Sequence, residues 1–179
     1  MQRRLLLDDT RFGITISRLC HQLIENHNDF SNTVIIGLQP RGVFVARRIQ
    51  AELMNLFPGK KIMCGDLDVT FHRDDFRKRE LVIPSATKID FVIEDKNVIL
   101  VDDVLYTGRT IRAGMDAMID YGRPKKVELL VLVDRRYSRH VPIAPDYIGI
   151  SVDTITSEKV IVNWRETEGK DEIMLEVKE

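Results

Sequence analysis

VILVDDVLYTGRTIRAG, residues 98–114, is the stretch whose parsing decides the fold. Val98 to Val101 form an apolar run short enough to be a buried parallel strand. The run ends on Asp102-Asp103, and a small polar turn follows, Thr107-Gly108-Arg109-Thr110. From Thr110 to Tyr121 the apolar spacing is helical, closed by Gly122 and Pro124. Two adjacent carboxylates at a strand end are costly unless a cationic or hydroxyl-rich group meets them, so the pair points to a ligand.

Working outward, the same alternation repeats. Residues 8–28 have helical spacing behind an Asp cap, and 34–38 (VIIGL) read as a second buried strand. Gln39-Pro40-Arg41-Gly42 interrupts, and residues 43–57 return to helical spacing before Pro58-Gly59. A strand is expected over 62–71 and a long polar loop or hairpin over 72–96. A third apolar strand is expected over 127–133 (VELLVLV), and shorter strands at 147–151, 159–164 and 173–177. Strand and helix alternating through short connections predict one α/β domain over residues 1–179, with a mainly parallel central sheet flanked by helices. Ligands of such sheets lie beyond the carboxyl ends of the strands. Gln39 to Arg41, Asp102 to Thr110 and Asp134 to Arg136 fall at such ends and are candidates for one shared site.

A helix opening at Thr107 to Thr110 would aim backbone N–H groups and the positive end of its dipole at an anion, and Gly108 permits close approach. Asp102 and Asp103 cannot bind that same anion, but they accept hydrogen bonds from neutral hydroxyls nearby. A group with a phosphate at one end and vicinal hydroxyls at the other is a ribose 5-phosphate. Neither GxxxxGK[ST] nor GxGxxG is present.

VILVDDVLYTGRT resembles the phosphoribosyl-pyrophosphate motif of type I phosphoribosyltransferases. GDLDVTFHRDD (65–75), VDDVLYTGRTIRAGMDAMIDYGRP (101–124) and PIAPDYIG (142–149) together resemble the PyrR family of pyrimidine-operon regulators and uracil phosphoribosyltransferases. The resemblance implies that fold with a small hood and flexible-loop region. It also implies transfer of phosphoribose to uracil, giving UMP and pyrophosphate, with Mg²⁺ borne by the substrate. Asp102 and Asp103 would then meet the ribose hydroxyls, and Tyr106, Thr107, Gly108, Arg109 and Thr110 the 5-phosphate. Arg41 and Gly42 would hold the pyrophosphate, and Arg73, in the loop HRDDFRKR (72–79), would stabilise its departure. Base recognition would involve Val133, Asp134, Arg135 and Ile148. The family also implies a homo-oligomer with a dimer as its unit. Its UMP-loaded form would bind pyrimidine-gene mRNA leader through a basic face, here Arg18, His21, Arg136, Arg139 and His140. Against that face, Ala144 and Asn26 stand at commonly basic positions, and the loop over 134–142 is one residue longer.

Three rival readings remain. Asp66-Leu67-Asp68-Val69-Thr70 fits the DxDxT nucleophile signature of aspartyl-phosphate phosphatases, but that assignment leaves the Thr107-Gly108 turn idle. A regulator with weak or no catalysis, or a transferase using another base, are the others.

A net charge of −1 on 179 residues excludes a polycation, and 44% hydrophobic with 31% charged residues argues against disorder. Cys20 and Cys64, with no CxxC, read as reduced thiols. MQRRLLLDDT has too short an apolar run for a signal peptide, and no window approaches a membrane span, so a cytoplasmic protein is expected. His27 is expected at a solvated helix end, Trp164 in the core or an interface, and the acidic tail after Arg165 exposed or beside an oligomer contact.

Overall fold

The computed structural model describes residues 2–74, 84–155 and 157–177. Along the chain run β1 (Gln2–Leu7), α1 (Asp9–His27), β2 (Thr33–Leu38), α2 (Gly42–Leu56), β3 (Met63–Leu67) and β4 (Asn97–Leu105). After them come α3 (Arg109–Met118), β5 (Lys126–Arg136), β6 (Tyr147–Asp153), β7 (Glu158–Asn163), α4 (Arg165–Glu168) and β8 (Glu172–Val177). Five strands form one parallel sheet in the order β3-β2-β4-β5-β6. β1, β8 and β7 form a second, antiparallel sheet.

The apolar run of β4 divides by its period of two. Ile99 and Val101 join a core with residues of α1 and α2, whereas Val98 and Leu100 join a core with residues of α3. Every residue of β2 is buried, as expected for a strand covered on both faces. α1 starts where its cap predicts, with the Asp8 carboxylate accepting from Arg11 N at 2.8 Å.

Several boundaries differ from expectation, each for a local reason. β4 continues through the acid pair to Leu105 because β5 still pairs with it there, Leu105 opposite Asp134. Pairing with β2 ends at Val101; beyond that point the Asp102 and Asp103 carboxylates accept from the amides of Asp103 and Val104 at 2.9 and 2.8 Å. β5 likewise runs on to Arg136, so the basic segment 135–140 begins inside a strand. The strand expected over 62–71 stops at Leu67. Asp68 then accepts from Thr70 N and Oγ1 at 3.1 and 2.7 Å, and the chain turns into a short 3-10 helix at Thr70–His72. Residues 2–7 were not marked as a strand by the sequence, and their partner β8 lies at the far end of the chain. The tail after Arg165 is therefore not an exposed appendage: it supplies β8, and Asp171 is buried against Arg48.

Trp164 is fully buried where the small sheet meets α1 and α2, edge-on to Phe12 at 5.5 Å and stacked on Phe44 at 5.4 Å. The Arg48 guanidinium lies 5.2 Å over the Trp164 ring and pairs with Asp171 and Glu166. This junction fixes the small sheet beside the carboxyl ends of the large one.

His27 overturns its solvated reading. Its side chain is 4% exposed, with Nε2 2.6 Å from the Glu128 carboxylate and Nδ1 3.0 Å from Thr33 Oγ1. Tyr147 Oη donates to Glu128, and Lys126 pairs with it from the surface. Burial acts to raise the Glu128 pKa, but Lys126 and His27 outweigh it and hold the carboxyl below its usual range. A lowered folded-state pKa contributes stability that is present above the unfolded value and is lost as pH falls through the folded one. Glu128→Gln is therefore expected to cost about 2 kcal/mol at neutral pH, lowering Tm by about 4–8 °C. The deficit should shrink as pH falls from the ordinary glutamate range through the lowered folded value, as the wild-type carboxyl itself becomes protonated. Thermal melts across pH check this.

Candidate active site

The acid pair alternates across the sheet as the apolar residues before it do. Asp102 lies on the α3 side, lining a cavity of about 300 Å³ with Arg73, Asp74, Tyr106 to Ile111 and His140. Asp103 lies on the α2 side, in a cavity of about 340 Å³ with Arg41, Val104, Glu168 and β7. The two carboxylates thus flank the same strand end from opposite faces.

In the first cavity the turn leads directly into a helix start. Gly108 has φ +86°, the left-handed conformation glycine adopts without strain, and it precedes the first turn of α3. First-turn amides have no intrahelical acceptor, and the first-turn residues Arg109 to Ile111 of α3 line the cavity. Thr107 Oγ1 accepts from Arg109 N at 3.4 Å. Arg73 Nη1 lies 3.5 Å from Thr110 Oγ1, and its charge favours the ionised form of Asp102. Asp74 pairs with Arg109 and, at 3.7 Å, with Arg112, docking the start of the 72–84 segment on α3. Residues 75–83 of that loop lie outside the described residues.

Burial dominates the electrostatics of both acids. Desolvation, and then the charge of Asp103, push Asp102 well above the ordinary carboxylate range. Asp103 is also raised by burial, with Arg41 opposing the shift through a 2.9 Å Nε–Oδ2 bond. Arg41 follows a cis Gln39–Pro40 bond and donates its other arm to Val162 O of β7, so its guanidinium joins Asp103 to the small sheet. A Cβ on Gly42 would lie 2.4 Å from Val101 O and 2.9 Å from Asp102 Cα, so α2 begins in direct contact with β4.

The residues expected to read the base separate. Asp134 pairs with Arg139, and Arg135 is buried with its guanidinium 3.9 Å from the Tyr106 ring centroid, bonded to Thr154 Oγ1 and Glu158 O. Val133 is fully buried in the strand. Ile148 does not join them: it lies in register with Val131, short of the carboxyl end, and its carbonyl accepts from Arg18. The residues expected to form a basic RNA face also separate. Arg18 donates to Ile148 O and Gly149 O, Arg139 turns inward, and His140 lines the Asp102 cavity. His21 is exposed, and Arg136 is exposed but paired with Asp153 at 2.6 Å. The sequence marked each cation but not its acceptor.

Asp66 and Asp68 sit apart from this centre. Asp66 is buried in β3 against Arg47, and Asp68 serves the turn, which leaves the DxDxT reading without its second acid pair. Cys20 and Cys64 are free, and burial pushes each thiol up to about 12. Among the described residues no three His, Cys, Asp or Glu side chains converge as a metal cage. The Asp102 and Asp103 carboxylates are nevertheless hard oxygen donors of the kind that suits Mg²⁺. Among the described residues no helix is long and apolar enough to cross a membrane.

A phosphoribosyl transferase domain model matches residues 4–165. "Bifunctional protein PyrR" of Desulfosudis oleivorans is 45% identical over 175 residues, covering 97% of this chain and 96% of the relative. The proteins of that name from Clostridioides difficile and Bacillus subtilis are 41% and 40% identical, covering 98% and 95% of this chain and 98% and 94% of the relatives. Among solved structures, a hypoxanthine phosphoribosyltransferase of Trypanosoma cruzi superposes with TM-score 0.73 at 16% identity, covering 98% of this chain and 97% of that one. One from Staphylococcus aureus gives 0.72 at 17%, covering 98% and 92%. At such identities these two likenesses establish the fold.

Proposed function

The chain belongs to the PyrR family of phosphoribosyltransferases, and from that membership we propose that it converts uracil and 5-phosphoribosyl pyrophosphate to UMP and pyrophosphate. The observation that carries this reading is one cavity lined by Asp102, the first-turn residues of α3 with the Thr110 side chain, and Arg73. The 5-phosphate is held by those amides, with the helix dipole and Arg109 favouring its charge. Asp102 and Asp103 accept from the ribose hydroxyls. As pyrophosphate departs, the ribose gains oxocarbenium character, and two carboxylates fixed in a low-dielectric site stabilise it. Arg41 and Arg73 take up the negative charge of the leaving group. Mg²⁺ carried by the donor's phosphates would find carboxylate oxygens at Asp102 and Asp103, and it would supply charge neutralisation for the leaving pyrophosphate.

The relatives are named bifunctional, which supports a second role as a UMP-responsive regulator acting on pyrimidine mRNA leader, in the cytoplasm and as a dimer. Arg18, His21, Arg136 and His140 are exposed, and an unpaired RNA loop would be contacted through them.

Uracil-dependent pyrophosphate release tests the enzyme reading. The wild type is expected to form UMP, and Asp103→Asn to lower the rate by about a hundredfold. A folded wild type that forms no UMP would overturn the enzymatic reading and leave RNA titration, with and without UMP, to test the regulator.

A further inference from the structure

We propose that Arg139 is a positioning residue for the donor site, holding the strand-to-helix turn that carries the phosphate-binding amides. The proposal rests on the transferase reading above, and it moves Arg139 from the RNA-facing set to the scaffold of the catalytic cavity.

The argument begins where β4 and β5 stop pairing, at Leu105 opposite Asp134. Beyond that register the backbone carbonyls leave the ladder and need other donors. Arg139 supplies them. Its Nη1 donates to Leu105 O at 3.2 Å, to Tyr106 O, and to Arg135 O at 2.9 Å. Its Nε donates to Ile143 O at 3.1 Å, and Nη2 pairs with the Asp134 carboxylate. One planar guanidinium therefore ties the last residue of β4, the first residue of the turn, the end of β5 and the chain leading to β6. A lysine offers a point charge on a flexible stem and cannot reproduce that fork.

The backbone beside Arg139 continues the same support. The amides of His140 and Val141 donate to Thr107 O at 2.9 and 3.1 Å. Val141 O lies 3.3 Å from where a Gly108 Cβ would stand, so the segment lies directly against the left-handed glycine. Leu105, Tyr106 and Thr107 are thus held through their carbonyls from behind. All three also line the cavity, together with Gly108 to Thr110 of the helix start. The Arg139 side chain is 22% exposed and Asp134 10%, so the pair is largely shielded from water and salt. An RNA phosphate could engage this guanidinium fully at the expense of bonds that shape the turn.

The test separates donor binding from everything else. Equilibrium binding of 5-phosphoribosyl pyrophosphate with Mg²⁺ is measured by calorimetry, and the KM of donor and of uracil are measured beside it. Arg139→Gln is expected to weaken donor binding and raise donor KM by tenfold or more, since misplacing a binding group by about 1 Å can cost about a hundredfold. Uracil KM should change by less than about twofold, and Arg139→Lys should recover part of the donor affinity. Asp134→Asn, which keeps Arg139 and unpairs it, should fall between and serves if Arg139→Gln does not fold. Donor affinity unchanged in folded Arg139→Gln, or in folded Asp134→Asn and Arg139→Lys together, overturns the proposal. A wild type that binds no donor overturns the transferase reading instead.

Discussion

Asp102→Asn is expected to raise Tm by about 2–4 °C while lowering UMP formation by about a hundredfold or more. The two effects have one cause. Burial and the neighbouring charge of Asp103 raise the Asp102 pKa, so folding favours its protonated form. A raised carboxyl pKa contributes stability that is fully present below the unfolded value, near 3.9, and is lost as pH rises through the folded value. At neutral pH burying this acid therefore costs the ligand-free protein stability, on the order of 1 kcal/mol after Arg73 is counted. Asparagine keeps the oxygen that accepts from the Asp103 amide and removes the charge. Stabilisation should vanish in melts at about pH 3, where the wild-type carboxyl is protonated in both states. In the proposed mechanism, by contrast, activity needs the negative charge that meets the developing cation, and asparagine does not supply it. A variant that melts lower at pH 7 than the wild type would contradict this account of the site.

Gly42→Ala should have the largest structural effect among conservative substitutions at the site. The added methyl would stand 2.4 Å from Val101 O and 2.9 Å from Asp102 Cα, both backbone atoms of a central strand. Neither can rotate aside, so α2 and the Arg41 turn must lift from β4. A loss of about 3 kcal/mol follows, and a Tm lower by about 6–12 °C. Donor affinity should fall as well, because Arg41 reaches Asp103 only while α2 is seated. Gly13→Ala is the control. It lies within α1 with nothing within 4 Å of its added methyl, and it should stabilise the protein by about 0.5–1 kcal/mol. Circular-dichroism melts of the two variants, read together, separate a helix-propensity effect from a close backbone approach.

The contrast between those two glycines also measures how far the sequence could be read. Both sit in or at a helix, and nothing in their neighbours tells them apart. The difference arises because β4 lies against one of them. The same holds for the cations: Arg18, Arg135, Arg136 and Arg139 read alike in sequence, yet their acceptors are edge carbonyls, a tyrosine ring, an exposed carboxylate and a turn. A helix-end position predicts solvent for His27, and only the approach of β5 puts Glu128 beside it.

By itself the sequence determined the parallel α/β core, the strand-turn-helix of residues 98–118 and the glycine turn that opens the helix after Thr107. These follow from apolar periodicity and from what glycine and a helix start do within a few residues. Tertiary structure decided the pairing of β1 with β8, the junction at Trp164 and the support that Arg139 gives the turn. A long side chain bonds whichever unpaired carbonyl the fold brings within its reach, and a strand needs an edge with the matching register. Both depend on segments distant in the chain, so no local pattern of residues encodes them.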